Sequence, residues 1–483
     1  MLSTKTIIGA GWLIASRLSG RMIDFGTVIF LARALTPADF GLAALAASLI
    51  AIVDTALEIP LTQALTRLRT IDDAHLDTAF TLGICRGAVL SAVLLTAAWP
   101  FAMIYNDMRL APLVCVFALG PVARSLYSPA MVRFVRDISF KQAFSVEIAG
   151  KLAAATTAIS LAHLGAGYWA IVANSVTAFI TTGILSHVIA PHRLRFSFAR
   201  FSDFKGFVGW FSSAQLLAAA SWQVDRGILG YFVSKATLGK YTMASDLSLL
   251  PTQSVIGPAM QPVMAAFSRI ADDRERLAGA YLRAATFTMM VAVPIGVGIS
   301  LTSDLIVRVM LGAKWMETAG YLRWLALATM LSAAYQPLCS LALATNRPAI
   351  VFRFSLFEIS IKALFVALGY YSYSLMGAVA GRGAVAVIMA VMVLFAARRM
   401  VGISLAAQLG GYWRVAAAAS VMSAAVLGLR HALAPEHLPQ IAELIASAGT
   451  GAAVYLGMLF ALGVRPPFGT KGKLVPQFQG KAG

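Results

Sequence analysis

The chain has 483 residues, of which 59% are hydrophobic and only 12% charged, and its mean hydropathy is +0.78. A soluble globular protein carries about 25% charged residues, so a water-soluble enzyme or binding domain is excluded and the chain is a polytopic membrane protein. The formal charge of +18 does not point to nucleic acid. The basic residues gather at span ends and in short loops, where membrane topology places them.

In chain order the apolar stretches predict fourteen spans: 7–33, 40–64, 78–103, 110–132, 142–163, 167–189, 206–232, 237–266, 278–301, 319–343, 349–370, 375–396, 410–430 and 440–463. The first runs to Leu35 without a small-residue cleavage site and reads as a retained helix, not a signal peptide. With the N-terminus inside, the inner segments hold twenty Lys and Arg, among them Arg67, Arg69, Arg133, Arg136, Arg193, Arg195, Arg200 and Arg269. The outer loops hold seven: Arg33, Arg109, Lys235, Lys240, Arg308, Lys314 and Arg430. That asymmetry predicts both termini in the cytoplasm.

A repeat of about two hundred residues runs through the first twelve spans. Asp24-Phe-Gly26 parallels Asp225-Arg-Gly227, and Thr36 to Phe40 parallels Thr237 to Tyr241. Pro60 with Arg67 parallels Pro262 with Arg269, and Asp72-Asp73 parallels Asp272-Asp273. Phe144-Ser145 with the pair Glu147/Lys151 parallels Phe354-Ser355 with Glu358/Lys362. Six spans per repeat is an even number, so the halves enter the membrane from the same side and form a parallel repeat. The expected organisation is an N-terminal six-helix lobe (1–190), a cytoplasmic linker (191–205) and a second six-helix lobe (206–400). Two additional helices (401–464) and a disordered cytoplasmic tail (465–483) follow. In the linker, phenylalanines interleave with basic residues, which predicts rings in the acyl boundary and cations toward headgroups.

Charges inside the spans carry the functional information. Twelve basic residues fall there: Arg17, Arg21, Arg86, Arg124, Lys151, Arg226, Arg283, Arg323, Arg353, Lys362, Arg382 and Arg414. Seven acids join them: Asp24, Asp54, Glu58, Glu147, Asp225, Asp246 and Glu358. A central arginine or lysine costs roughly 2.5–3.5 kcal/mol in lipid. A dozen facing lipid would cost on the order of 30 kcal/mol, more than a fold's net stability. They must pair, snorkel or line a wet cavity. Arg323, Arg353 and Arg414 lie near span ends and can snorkel. Arg17, Arg21, Arg86, Arg124, Arg283 and Arg382 lie deeper and are candidates for a cationic cavity, whose natural ligand is a phosphate or diphosphate. Asp24, Asp54, Glu58, Asp225 and Asp246 are either coupling acids or pairing partners for these arginines. Glu147/Lys151 and Glu358/Lys362, at i, i+4, predict self-neutralising pairs. Pro60 and Pro262 are the favoured hinges among the span prolines.

Catalytic signals are absent from the sequence: no glycine-rich lysine loop, no His-Glu-x-x-His and no Gly-x-Ser-x-Gly. The six histidines do not cluster at metal-ligand spacing, the three cysteines share no short spacing, and no cofactor is expected.

Gly11-Trp12 before the first span's charges, and Arg33-x-Leu-x-Pro-x-Asp-Phe-Gly41 after that span, resemble the opening of Wzx-type polysaccharide flippases. These belong to the multidrug/oligosaccharidyl-lipid/polysaccharide exporter superfamily. The resemblance covers about residues 5–400. It implies two six-helix lobes in a V around a central cavity in the bacterial inner membrane. The implied task is flipping undecaprenyl-diphosphate-linked repeat units for exopolysaccharide, O-antigen or capsule, with Arg17 and Arg21 placed to hold the diphosphate. Implied partners are that lipid-linked oligosaccharide, membrane lipids, a polysaccharide polymerase and a chain-length regulator. The span count of fourteen exceeds the twelve of many members and resembles the lipid II flippases. Two rival readings stand beside this one. A drug or cation antiporter of the same superfamily would want an acidic or apolar cavity. A membrane-embedded glycan polymerase or ligase would want a sizeable outer loop.

Overall fold

A computed structural model describes residues 2–68, 70–193, 195–204, 210–433 and 438–464. The expected disordered tail, 465–483, lies outside the described residues. Regular structure among the described residues is helical throughout. The first helices are α1 (Leu2–Ala34), α2 (Pro37–Ala56), α3 (Leu61–Arg67), α4 (Asp73–Ile104), α5 (Leu110–Phe117), α6 (Leu119–Ser125) and α7 (Val132–Arg136). Next come α8 (Lys141–His163), α9 (Trp169–Ile189), α10 (Trp210–Phe232), α11 (Lys235–Arg269), α12 (Arg274–Leu301), α13 (Ser303–Met310) and α14 (Glu317–Ser332). The last are α15 (Tyr335–Ala344), α16 (Pro348–Val401), α17 (Leu405–Gly410), α18 (Trp413–Leu433) and α19 (Gln440–Ala461).

Nine helices or joined helix pairs among the described residues are long and apolar enough to cross a bilayer. A tenth is the bent pair Leu110–Ser125 and Pro129–Arg136, which turns by 52°. The sequence-based figure of about fourteen counts α1, α10 and α11 as well, and counts α16 twice. Within α16 the backbone leaves the helical region at Tyr373 and Ser374. There the chain folds back on itself. A Cβ on Gly369 would lie 2.1 Å from the Gly377 carbonyl oxygen, and one on Gly381 would lie 2.2 Å from the Phe365 carbonyl oxygen. Residues 365–369 and 377–381 therefore pack as an antiparallel hairpin whose backbones touch because glycine stands at the crossing.

The apolar surface is turned outward, as lipid requires and water forbids. Ile180, Ile184 and Val188 form an exposed stripe on α9 at helical spacing, and Val89, Val93, Trp99 and Met103 are exposed along α4. The spans satisfy their own backbone hydrogen bonds, the condition for crossing hydrocarbon.

Contacts divide the chain into residues 1–239 and 240–483. In the first unit α8 packs on α9 and α1, α4 on α5 and α6, and α10 on α2. The described part of the seventh expected span, α10, thus packs with the first unit, because it lies along α2. In the second unit α12 packs on α14 and α18, α14 on α16, and α18 on α19. Its core gathers Phe267, Tyr281, Leu338, Leu341, Val385 and Val393. Arg430 fastens the last helices. It donates to the Leu301 carbonyl at 2.6 Å and to both Asp304 carboxylate oxygens at 3.1 and 2.5 Å, and it lies 3.2 Å from Glu443.

The linker corrects one expectation. Phe204 is not at a lipid boundary: it is fully buried against Ala64, Leu65, Leu76 and Leu82. The Phe196 and Phe80 rings lie 6.0 Å apart, tilted by 46°. The Ser197 and Arg200 amides donate to the Thr81 and Thr78 hydroxyls at 2.9 and 3.2 Å. His192 Nε2 lies 2.8 Å from Asp77, while His75 lies 2.5 Å from Asp72 and 3.2 Å from Asp203. Asp72 caps α4 by accepting the His75 amide. That bond, the His75 ring and the nearby Arg200 hold its carboxyl down at about 2. The start of α4 offers unpaired amides and buried hydroxyls, and the linker supplies their partners.

Candidate functional site

The charged interior of the first unit begins where α1 meets α8. Trp12 packs against Phe144 with ring centroids 5.1 Å apart and the planes tilted by 56°. Ser16 Oγ donates to Glu147 Oε2 at 2.5 Å. Lys151 pairs with Asp24. Both series rise together, so α1 and α8 run parallel, and residues 12, 16 and 24 of α1 form the stripe that faces α8. The expected i, i+4 pair of Glu147 with Lys151 is replaced by these two interhelical contacts. The physical reason is reach: a long lysine stem on α8 finds the carboxylate of the neighbouring helix, and Ser16 satisfies Glu147.

Arg17 and Arg21 follow one residue after positions 16 and 20, so the helical advance of about 100° per residue carries them off that stripe. Both are exposed. Among the described residues Arg17 makes no ion pair or hydrogen bond. The three charges of α1 that share a broad face in the sequence therefore divide. Asp24 is held by α8, and the two guanidinium groups are presented beside it.

A second cluster surrounds Asp54, in the last turn of α2. Arg86 Nη2 donates to the Asp54 carboxylate at 2.6 Å and to its carbonyl at 2.9 Å, and Arg86 Nε donates to the Leu57 carbonyl at 2.6 Å. Arg124 Nη1 donates to the other Asp54 carboxylate oxygen at 2.9 Å. Pro60 explains the arrangement. It stands between α2 and α3, where the helix breaks, and there the Glu58 and Leu61 amides turn to the Thr55 and Ile59 carbonyls, which leaves the Asp54 and Leu57 carbonyls without their helical partners. Arg86 from α4 supplies the missing donors, so its guanidinium is spent on the helix end. Arg124 is half-exposed and gives Asp54 a single nitrogen. Glu58, in the same break, is also engaged.

Pro60 and Pro262 differ in their local effect. Pro60 interrupts the helix, whereas α11 continues through Pro251, Pro258 and Pro262. Near the start of α11, Tyr241 and Ser245 stand at i, i+4 and accept Arg382 Nη1 at 3.1 and 2.9 Å. Asp246 follows and is engaged, as is Asp225, which is fully buried and accepts the Arg226 amide at 3.0 Å. Lys362 Nζ lies 2.9 Å from Glu358 Oε1 in α16. Arg283 is exposed and borders an open cleft with Asp273, Glu275 and Arg276 at the start of α12.

Sequence reasoning missed Ser16, Tyr241 and Ser245, the hydroxyl partners of the charged groups. Their only signal was helical spacing to a charge on another helix, which a single sequence does not reveal. No group of three or more metal-ligating side chains occurs among the described residues. The chemistry this array supports is electrostatic recognition. Glu147, Asp54 and Asp24 are engaged, while the Arg17, Arg21, Arg124 and Arg283 side chains are exposed.

Comparisons with known proteins bear on the family and the fold. Residues 30–320 match the family model described as polysaccharide biosynthesis protein. The lipopolysaccharide biosynthesis protein WzxC of Escherichia coli K12 is 21% identical over 365 residues, covering 74% of this chain and 73% of that protein. The succinoglycan biosynthesis transport protein ExoT of Rhizobium meliloti is 24% identical over 338 residues, covering 68% and 67%. Among solved structures, the lipid II flippase MurJ in an inward closed conformation superposes with a TM-score of 0.72 at 14% identity, covering 94% of this chain and 98% of that one. An inward-facing multidrug transporter of the MATE family gives 0.62 at 12% identity, covering 81% and 99%. The last two show a shared fold.

Proposed function

Because the chain belongs to the polysaccharide biosynthesis protein family, we propose that it flips polyprenyl-diphosphate-linked oligosaccharide repeat units across the bacterial inner membrane by alternating access. The observation that carries this reading is the division of charge on α1. Asp24 is neutralised by Lys151, while Arg17 and Arg21 stay exposed within a span. An exposed cation in hydrocarbon is costly, so the exposed face they share calls for an anionic ligand or a wet cavity. A diphosphate satisfies them with bidentate, charge-assisted hydrogen bonds. Arg124 and Arg283 are further candidates for the same ligand. Arg86 and Arg382, bonded to protein oxygens, would shape the cavity more than grip the phosphate.

The proposal includes fourteen spans, two parallel six-helix repeats over 1–190 and 206–400, two further helices over 401–464, and both termini in the cytoplasm. A polysaccharide polymerase and a chain-length regulator are proposed as downstream partners. The engaged acids disfavour the antiporter alternative, since Asp24 and Asp54 already hold cations of the protein.

The test is polymer export in cells, with membrane abundance measured alongside. Each charge-assisted bond to phosphate contributes roughly 1.5–3 kcal/mol, so Arg17→Ala or Arg21→Ala should weaken binding by about tenfold or more. Arg→Lys keeps charge but loses the fork and should fall between. Abundant, fully active Arg17→Ala and Arg21→Ala variants would refute the diphosphate role.

A further inference from the structure

The start of α12 has two faces. Leu277, Tyr281, Ala284 and Ala285 are buried in the core of the second unit. Arg276, Gly279 and Arg283 fall at i, i+3 and i+7 and make a second stripe. With Ile270, Asp273 and Glu275 they line an open cleft of about 560 Å³. Ile270 belongs to the turn before the helix, where its carbonyl accepts the Asp273 amide at 3.1 Å. All six residues lie in the second unit. Small-molecule sites enclose about 300–1,000 Å³, so the cleft has room for a headgroup.

Glycine and charge shape the cleft. A Cβ on Gly279 would lie 3.5 Å from Arg283 Nη1. The arginine thus runs back one turn toward the helix start, the direction that helical side chains take, and crosses a floor that glycine leaves bare. Arg274 is spent elsewhere: its Nη2 lies 3.6 Å from where a Cβ on Gly402 would stand, at the end of α16. Within the cleft Asp273 and Arg276 neutralise each other. Asp273 accepts the Arg276 amide at 3.0 Å and lies 3.2 Å from Arg276 Nε. Glu275 and Arg283 remain, one an acceptor and one a donor. Neither makes an ion pair or hydrogen bond among the described residues.

We propose that this cleft is a headgroup site, in which Arg283 takes a phosphate and Glu275 accepts hydrogen bonds from donors carried beside that phosphate on the same molecule. A guanidinium grips phosphate oxygens two at a time. A carboxylate in the same cleft repels a bare phosphate, so a simple anion is a poor ligand. A molecule that joins phosphate to hydrogen-bond donors satisfies both groups. Two kinds of molecule at a membrane surface have that chemistry. One is the sugar phosphate of a lipid-linked oligosaccharide, whose ring hydroxyls donate and whose C–H face suits Ile270. The other is the phosphoethanolamine head of a bilayer lipid, whose ammonium donates. The cleft opens where α12 begins, at the end of a span and not in its middle, which is the level of a headgroup. Assigning the sugar phosphate rests on the flippase reading; the site itself does not.

The test follows amide hydrogen exchange over residues 271–284 of the full-length protein in phosphatidylcholine nanodiscs. It is titrated with glucose 1-phosphate, phosphoethanolamine and inorganic phosphate. An Arg17→Ala/Arg21→Ala background removes the α1 candidates from the measurement. At least one donor-bearing probe should slow exchange at a concentration about tenfold below that needed for inorganic phosphate. Arg283→Ala should raise that concentration by about tenfold. Glu275→Gln should weaken the donor-bearing probes and spare inorganic phosphate. Gly279→Leu keeps every charge and suits a helix better than glycine, but it fills the floor of the cleft and should abolish the slowing. Tighter binding of glucose 1-phosphate gives the cleft to the lipid-linked substrate, and tighter binding of phosphoethanolamine gives it to a bilayer lipid. No slowing by any probe would overturn the site. So would inorganic phosphate as effective as the other two, or undiminished binding in both Arg283→Ala and Gly279→Leu. Because the background lacks Arg17 and Arg21, this site and the diphosphate role of α1 stand or fall separately.

Discussion

Arg86 offers the sharpest stability prediction. Its side chain is 13% exposed and its Nε and Nη2 make three short bonds to the broken end of α2. Arg86→Ala strips donors from the Asp54 and Leu57 carbonyls and removes the inner partner of the Asp54 carboxylate. Removing one partner of a buried pair costs about 3–5 kcal/mol, and each stranded acceptor about 1–3 kcal/mol. These terms overlap, so a net loss of about 4 kcal/mol is expected, equal to roughly 10 °C in melting temperature for a unit of this size. Arg124→Ala serves as the comparison. It removes the outer partner of the same carboxylate, but its side chain is 52% exposed, and an exposed pair contributes only about 0–1 kcal/mol. Arg86→Lys restores a charge that reaches one acceptor at a time and should fall between the two. The assay is thermal unfolding of purified protein followed by fluorescence-detected size exclusion, with export measured in parallel. An Arg86→Ala protein that melts no lower than Arg124→Ala would refute the capping argument.

Other outcomes follow from the same structure. Asp24→Asn or Lys151→Met alone should destabilise the α1–α8 contact, and the double variant should recover melting temperature; a double variant worse than either single would show that neutralisation is not the pair's role. Arg430→Ala leaves the Asp304 and Glu443 carboxylates without their shared cation, so amide exchange over residues 303–310 and 440–446 should rise, and unchanged exchange would count against the clamp. His192→Ala removes the partner of Asp77 and should raise protease sensitivity over residues 195–204 with little change elsewhere. Single cysteines at Phe198 and Ala236 should label from opposite membrane faces with an impermeant thiol reagent, and labelling from one face would reject the proposed topology.

Composition alone determined that this is a multi-pass helical membrane protein, because a chain that is 59% hydrophobic and 12% charged has no soluble solution. The interior charges were legible for the same reason: a lysine or arginine in hydrocarbon is costly enough that its presence announces a partner or a cavity. Which of the two, the sequence left open. Lys151 sits four residues from Glu147, yet its partner is Asp24 on another helix. Arg86 and Arg124 are alike as letters, but one is consumed by the carbonyls at the broken end of α2 and the other is half-exposed. The linker's phenylalanines look interfacial in a row of residues, and Phe204 is nonetheless buried in the core. Burial cost depends on residue type and on being within a span, both local properties of the chain. Pairing depends on which helix lies within a few ångströms, and only the tertiary structure decides that.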